Sequence, residues 1–161
     1  MISIRPATDE DTVWRKQLLI KHWGSTRVVS QGQVYDAVTL PGIIGLCDKR
    51  RTGLATYHIH NRGCQIVSLN SERANLGVGT LLLQAVTEIA DQAQCRRVWL
   101  ITTNDNLPAL RFYQKREFTL VAVHRNALDI SRQIKPEIPH VGIDGIPLRD
   151  EIELELMIPR Q

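Results

Sequence analysis

The sequence predicts an α/β protein whose central mixed sheet is mostly antiparallel, contains one parallel pair of strands and is flanked by helices. Between Pro41 and Leu69, three apolar runs are separated by short turns, which is typical of an antiparallel meander. The meander leads through a glycine-containing turn into an amphipathic helix at Leu76 to Ala93, and then into the apolar run VWLITT. Because strand, helix and strand follow one another, the two strands should be parallel and joined by a right-handed crossover.

Length and composition indicate an ordinary globular protein. At 161 residues the chain is long enough to bury a real core, and we predict one domain that covers residues 1–161. The formal net charge of +3 permits a polyanionic ligand but is too small to favour nucleic-acid binding. The three cysteines are scattered, no secretory leader is visible, and no apolar run approaches the ~20 residues that span a bilayer. We therefore expect a cytoplasmic protein with reduced thiols and no membrane partner.

The N-terminal part of the chain predicts a strand, a helix and a loop. The first strand covers Ile2 to Pro6. Residues Ala7 to Asp11 have the capping and acidic side chains of a helix start, and Gly24 is a typical helix stop. A polar loop is expected from Ser25 to Gly32.

The C-terminal part predicts a helix at Asn106 to Lys115, a strand in FTLVAVH, and a long loop at Asn126 to Arg149 with a helical turn at Ala127 to Gln133. In the last strand, RDEIELELMI, apolar residues alternate with glutamates, so one face should be buried. The other face, which we expect to be solvated, carries Glu151, Glu153 and Glu155.

The turn before the central helix is a candidate anion site. The first backbone N–H groups of a helix have no partner within the helix and lie at the positive end of its dipole. A phosphate fits there. Gly77 and Gly79 lack a Cβ, so they allow positive φ and a close approach of ligand oxygens. On its own, this pattern is equally consistent with an ordinary packing turn.

Two stretches have the spacing of known motifs. ANLGVG, at Ala74 to Gly79, resembles the turn Q/R-x-x-G-x-G/A, and NDNLPALRFYQKREF resembles a later motif of Asn, Ala, Tyr and a Gly-Phe pair. Both occur in this order in the GNAT superfamily of acetyl-CoA-dependent N-acetyltransferases, which nearly the whole chain resembles in its order of elements. Ala74 stands where the family usually has Gln or Arg, and Glu117 stands where it usually has Gly. The matching residues of the later motif are Asn106, Ala109, Tyr113 and Phe118.

The resemblance implies acetyl-CoA as co-substrate, held in a wedge between the strands QIVSL and VWLITT, and no metal. The pyrophosphate would meet backbone amides of the turn, which do not depend on residue type. The pantetheine arm would pair with the backbone of the preceding strand like an added strand. The implied coenzyme-binding residues are Val67, Leu69, Ala74, Asn75, Leu76, Gly77, Val78, Gly79, Thr80 and Asn106.

The resemblance also implies a reaction, the direct transfer of the acetyl group to a primary amine within a ternary complex. A backbone N–H near Leu69 would polarise the thioester carbonyl. Tyr113 is the implied catalytic acid. A phenol has a pKa near 10 against roughly 8.5 for a thiol, so it stays protonated at neutral pH and can donate to the departing sulfur.

The sequence does not identify the general base. Gln65 lies near the place where many relatives carry a glutamate, and an amide does not accept a proton usefully. His58 and His60 share one face of a predicted strand, and His124 and His140 border the long loop. A water chain is the remaining alternative.

The sequence says less about the acceptor amine and about protein partners than about the coenzyme. We expect the amine, on a small molecule or a peptide, to enter between the first helix, residues 25–40 and residues 126–149, and we leave a homodimer open. A GNAT-fold protein that senses acyl-CoA without transfer chemistry is the alternative. A dinucleotide module is a further alternative, but only two glycines are present and no acidic residue follows at the expected interval.

Overall fold

The structure is a computed structural model and describes residues 1–159. Its N-terminal elements are as predicted: strand β1 (Ile2–Pro6) is followed by a 3-10 turn at Asp9–Asp11 and by helix α1 (Thr12–Trp23). The helix ends at Gly24, which is left-handed with a φ of 72° and donates its N–H to the carbonyl of Ile20. Within residues 1–159, no helix combines the length and apolar character that a membrane crossing requires.

The segment after α1 is a β-hairpin, so the prediction of a polar loop from Ser25 to Gly32 is wrong. Strands β2 (Arg27–Ser30) and β3 (Gln33–Asp36) form a separate two-stranded sheet. Their turn consists of Gln31 and Gly32, both left-handed with φ of 49° and 74°, as two-residue hairpin turns require. Strands this short carry too few apolar residues for their alternation to be visible in the sequence.

The predicted meander is confirmed. Strands β4 (Gly42–Cys47), β5 (Arg50–His60) and β6 (Gly63–Ser71) pair antiparallel in this order. The two connections are two-residue turns at residues 48–49 and 61–62, and all four of these residues are left-handed. Such turns match the twist of the flanking strands and keep the three strands in one continuous antiparallel sheet.

The remaining elements also follow the predicted order. Seven strands form a mixed sheet with one parallel pair, flanked by helices, which confirms the predicted fold class. After β6, the chain continues with helix α2 (Val78–Gln92), strand β7 (Arg97–Thr103), helix α3 (Leu107–Gln114), strand β8 (Thr119–His124), helix α4 (Ala127–Ile134) and strand β9 (Glu151–Met157).

The chain divides into two compact units. Of the described residues, the first contains 1–28, 35–98 and 158–159, and the second contains 29–34 and 99–157. In the first unit, β1, β4, β5 and β6 are neighbours in this order. In the second, the order is β7 from Trp99 on, then β9, then β8. The single domain over residues 1–161 stays a prediction.

The core of the first unit lies between α1 and one face of its strands. Its buried residues are Leu18, Leu19, Val28, Ala37, Ile44, Leu54 and Val67. Helix α2 packs on the opposite face, where two glycines make room for it. A Cβ on Gly45 or Gly53 would lie 2.5 or 2.6 Å from a methyl group of Val78. The start of α2 therefore lies directly on the backbone of β4 and β5.

In the second unit, the long segment between β8 and β9 is more ordered than the sequence predicts. The predicted helical turn is the eight-residue helix α4, and a 3-10 turn at Ile143–Gly145 follows. The guanidinium of Arg132 holds the segment together, because it donates to the backbone carbonyls of Ile138, Pro139 and Leu148.

Strand β9 departs from the prediction that its glutamates are solvated. Glu151 is 3% exposed and Glu153 is 9% exposed, while Leu154 on the other face is fully buried. The tip of the β2–β3 hairpin covers the glutamate face, where the backbone N–H of Gln31 donates to Glu151. An alternating pattern reveals two different faces of a strand, but it does not reveal what covers each face.

Candidate functional site

The turn between β6 and α2 is exposed and tightly curved. Asn75 and Gly77 are left-handed, with φ of 66° and 79°. Gly79, in contrast, is the second residue of α2 and has no positive φ, so of the two glycines only Gly77 uses the left-handed conformation that glycine allows. The turn residues Ala74 and Leu76 are also exposed. The predicted coenzyme-binding turn therefore presents its backbone outward.

The N-terminus of α2 has the geometry of an anion site. The N–H of Leu81 makes the first helical hydrogen bond, to the carbonyl of Gly77 at 3.1 Å. The amides of Val78, Gly79 and Thr80 precede that bond, and no side chain caps the helix. A Cβ on Gly77 would meet no atom within 4 Å, so the protein leaves the approach at this position open. The positive end of the helix dipole adds to the attraction for a phosphate.

Strand β6, which leads into this turn, carries a β-bulge. Thr56 pairs with Ser68, but Tyr57 pairs with Ile66, so Val67 is an extra residue on β6. The hydroxyl groups of Thr56 and Ser68 lie 2.6 Å apart and fasten the strands next to the bulge. A bulge breaks the ladder locally and redirects backbone groups. The backbone at Val67, one of the predicted coenzyme-binding positions, is thereby out of register with β5.

Gln65 lies in a polar and aromatic cluster of the first unit. It is 3% exposed, and the hydroxyl of Tyr35 donates to its side-chain oxygen at 3.1 Å. His58 pairs with Gln65 across the strands, and its ring lies 5.5 Å from that of Tyr35. The rings of His58 and His60 are stacked at 6.1 Å, which places both on the predicted shared face. Gln65 therefore has a fixed hydrogen-bond role, as an amide and not as a base.

Tyr113 of α3 is a buried phenol in the second unit. It is 7% exposed, with the ring of Phe112 perpendicular to it at 5.1 Å and the ring of Phe118 tilted at 5.4 Å. This burial raises the pKa of Tyr113 well above its usual value, because the apolar surroundings disfavour a phenolate. The hydroxyl hydrogen bonds to no other group of residues 1–159. Tyr113 can therefore donate a proton to a ligand without first breaking a bond.

Asn106 and Glu117 lie at the two ends of α3. The side-chain oxygen of Asn106 caps the helix by accepting the N–H of Ala109 at 3.3 Å, which is a structural role. Glu117 is left-handed, with a φ of 70°, in the turn that returns the N–H of Phe118 to the carbonyl of Tyr113. This conformation explains why glycine suits the position, since other residues adopt it at a cost.

A second polar cluster in the same unit consists of Gln31, His124, Glu151 and Glu153. The Nε2 atom of His124 lies 2.8 Å from Nε2 of Gln31 and 3.2 Å from Oε1 of Glu153. Burial raises the pKa of Glu151, although the Gln31 N–H and His124 oppose this shift. Sequence reasoning found His124 but missed the glutamates. The register His124 to Glu151, which brings them together, is not visible in either strand alone.

The predicted site residues thus fall into two sets. The turn residues, Val67 and Leu69 belong to the first unit, whereas Asn106 and Tyr113 belong to the second. Of the candidate bases, His58 and His60 lie in the first unit and His124 in the second.

Comparisons with known proteins identify the family and the fold. The acetyltransferase (GNAT) family matches residues 30–118. The uncharacterised protein YdhI of Bacillus subtilis (strain 168) is 44% identical over 133 residues, which are 82% of this chain and 83% of YdhI. The structure of an IAA acetyltransferase from Bacillus cereus ATCC 14579 superposes with a TM-score of 0.76 at 18% identity, over 98% of this chain and 100% of that one.

A Bacillus subtilis acetyltransferase in complex with CoA superposes with a TM-score of 0.70 at 15% identity, over 99% of this chain and 100% of that one. At this identity the likeness concerns the fold.

Proposed function

Because this chain belongs to the acetyltransferase (GNAT) family, we propose that it transfers the acetyl group of acetyl-CoA to a primary amine, directly and within a ternary complex. The observation that carries the proposal is the continuous run of bulged strand β6, left-handed turn and uncapped N-terminus of α2. This run offers backbone groups to an extended, phosphate-bearing ligand along its length.

Each part of that run has a task in coenzyme binding. The backbone of Val67 to Leu69 pairs with the pantetheine arm, and the amides of residues 76–80 bind the pyrophosphate. Ala74 is exposed and contributes no polar side chain, so the pyrophosphate is bound by backbone N–H groups from Asn75 onwards. Asn106 uses its side-chain oxygen in the helix cap, so its amide NH₂ is the group for a coenzyme contact. A Bacillus subtilis acetyltransferase of this fold is in complex with CoA, which supports coenzyme binding by this chain.

The transfer itself needs an oxyanion donor and a proton for sulfur. A backbone N–H near Leu69 stabilises the tetrahedral intermediate as its oxygen becomes negative. Tyr113 supplies the proton to the departing thiolate. Its buried hydroxyl stays protonated because its pKa is raised, and it makes no competing hydrogen bond within the described chain.

Two measurements test the proposal. The first is thermal unfolding with and without acetyl-CoA, since a ligand present at 100 times its Kd adds about 2.7 kcal/mol to the free energy of unfolding. The second is acetyl-CoA consumption with a panel of small amines, polyamines, amino acids, aminoglycosides and peptide N-termini. Unfolding that does not respond to acetyl-CoA contradicts the proposal.

The fixed amide role of Gln65 favours a second candidate, a protein that binds acyl-CoA as a sensor without transferring the acyl group. Stabilisation by acetyl-CoA together with no turnover on any amine of the panel supports the sensor. The cytoplasmic location and a homodimer stay predictions.

A further inference from the structure

The cluster of Gln31, His124, Glu151 and Glu153, here named the His124 cluster, has no part in the coenzyme chemistry above. Its unusual feature is Glu151, which is 3% exposed and forms no ion pair with a lysine or arginine in residues 1–159. Among the described residues, its hydrogen-bond donor is one backbone N–H, at 3.3 and 3.4 Å from its two oxygens. Burying a carboxylate without a cation costs free energy. A neutral residue would support the hairpin at lower cost.

His124 connects this buried charge to the surface. Its side chain is 36% exposed, whereas that of Glu153 behind it is 12% exposed. The Nε2 atom cannot donate to Glu153 and accept from the amide nitrogen of Gln31 at once. Both contacts are satisfied when the Gln31 amide is turned so that its oxygen faces Nε2–H, an orientation that hydrogen-bond networks decide. Glu153 then fixes the tautomer and leaves the lone pair on Nδ1.

Nδ1 of His124 hydrogen bonds to no group in the described part of the chain. A histidine with one nitrogen held by a carboxylate and the other free is the arrangement of a general base. Among the described residues, His124 contacts Gln31 of the hairpin and Glu153 of β9, and it interacts electrostatically with Glu151 of β9.

The position of the cluster matches the acceptor side predicted from the sequence. Gln31 lies within residues 25–40, and His124 and Glu151 border residues 126–149 on either side. These are two of the segments expected to bound the acceptor. The Gln31 contacts with His124 and Glu151 join them at one place.

We propose that the His124 cluster receives an acceptor amine that arrives as an ammonium ion, and that His124 takes its proton. Glu153 is a positioning residue that holds the ring, and the buried charge of Glu151 favours cationic acceptors over neutral ones. This inference rests on the proposed acetyl transfer.

Every proton that moves in the proposed reaction has a donor and an acceptor. The ammonium gives one proton to Nδ1 of His124, and the nitrogen lone pair then forms the C–N bond to the thioester carbonyl. The C–S bond breaks as Tyr113 protonates the thiolate, and Tyr113 regains a proton from the nitrogen of the adduct. His124 releases its proton to solvent. The products are the acetamide, CoA thiol and one proton.

The test compares wild type, His124→Gln and the control His140→Gln, which changes an exposed histidine of the long segment. Each is assayed with the alkylamine of the panel that wild type acetylates fastest, which is an ammonium ion at pH 7, and with aniline, which is neutral there. For the alkylamine, His124→Gln should lower kcat/KM about 100-fold, the usual order of a lost general base. For aniline the loss should be within about threefold, because no proton has to be removed before attack.

Glu153→Gln supplies a readout that a merely structural role would not change. Because Glu153 acts only through the ring that takes the proton, kcat/KM should fall for the alkylamine and stay within about threefold of wild type for aniline. Glu151→Gln should raise KM for the alkylamine and leave kcat nearly unchanged.

Three outcomes overturn the inference: an unchanged kcat/KM in His124→Gln, equal losses for the two amines, or an equal loss in His140→Gln. Thermal stabilisation by acetyl-CoA, measured on each variant, excludes misfolding as the cause of a loss. A wild-type protein that acetylates no amine contradicts the proposed function, whereas a wild type that acetylates amines independently of His124 contradicts only this inference.

Discussion

The backbone N–H of Gln31 donates to both carboxylate oxygens of Glu151, at 3.3 and 3.4 Å. This contact joins the tip of the β2–β3 hairpin to the start of β9 and buries a negative charge. Its consequence for stability can be measured separately from any catalytic role.

Glu151 should make the free energy of unfolding depend on pH. Its pKa is raised in the folded state, chiefly by burial, so the folded protein holds this proton at pH values where the unfolded chain has lost it. The folded state is therefore favoured as pH falls from 7 through the raised pKa, and the gain is complete below the unfolded value near 4.3. Glu151→Gln should be more stable than wild type at pH 7, and the difference should shrink toward pH 4.

Urea unfolding of both proteins at a series of pH values measures this difference. Glu155→Gln, at a half-buried position of the same strand, serves as the matched control. A difference between wild type and Glu151→Gln that grows as pH falls would contradict the expectation.

Tyr113→Phe should impair turnover while leaving the fold and coenzyme binding intact. The substitution removes a hydroxyl that hydrogen bonds to no described residue, and the ring keeps its contacts with Phe112 and Phe118. Loss of a general acid lowers kcat by about 100-fold or more. Steady-state kinetics with the best amine of the panel measures kcat, and calorimetric titration measures the Kd for acetyl-CoA.

Tyr57→Phe, on β5, is the control for loss of a half-buried tyrosine hydroxyl elsewhere. Unchanged kcat in Tyr113→Phe would remove Tyr113 from the mechanism, and a weakened Kd with normal kcat would assign it to binding instead.

Gly77→Val should weaken coenzyme binding far more than Ala74→Val. Both residues are exposed in the same turn, and both substitutions introduce the same residue, valine. Gly77 has a φ of 79°, where a β-branched residue costs about 1–2 kcal/mol or more, so the turn would leave the conformation that presents its amides. Ala74 has no positive φ.

The measurement is the thermal shift produced by acetyl-CoA, taken against each variant's own unliganded baseline. Equal shifts for the two variants would show that the backbone conformation at Gly77 does not matter for binding.

Glu117→Gly should stabilise the protein. Glu117 is left-handed with a φ of 70°, and glycine reaches this region without strain. Glycine is also more flexible in the unfolded chain, which offsets part of this gain. We therefore expect a net increase of about 0.5–1 kcal/mol in the free energy of unfolding. Urea unfolding measures it, with Glu137→Gly, a change at an exposed residue without a positive φ, as the control. A loss of stability equal to that of the control would show that the conformation at residue 117 carries no strain.

Local patterns in the sequence predicted much of the fold. The glycine stop at Gly24, the meander of β4 to β6 and the helix α2 all depend on interactions between residues close in the chain, and all are present. The turn before α2 was predicted as well, because Gly77 supplies the left-handed residue that the turn needs. The cap at Asn106 is equally local, since its partner Ala109 lies one helical turn away.

The contacts between segments that are distant in the sequence were decided by the tertiary structure. The pattern of β9 predicted two unlike faces, but burial of Glu151 depends on Gln31, which lies 120 positions earlier. The bulge at Val67 exists only relative to β5. Aromatic neighbours surround the hydroxyl of Tyr113, which has no hydrogen-bond partner within residues 1–159, and the grouping of His124 with two glutamates depends on strand register. Turns, caps and periodicity are written into neighbouring residues, whereas burial and the charge of a site follow from which surfaces meet.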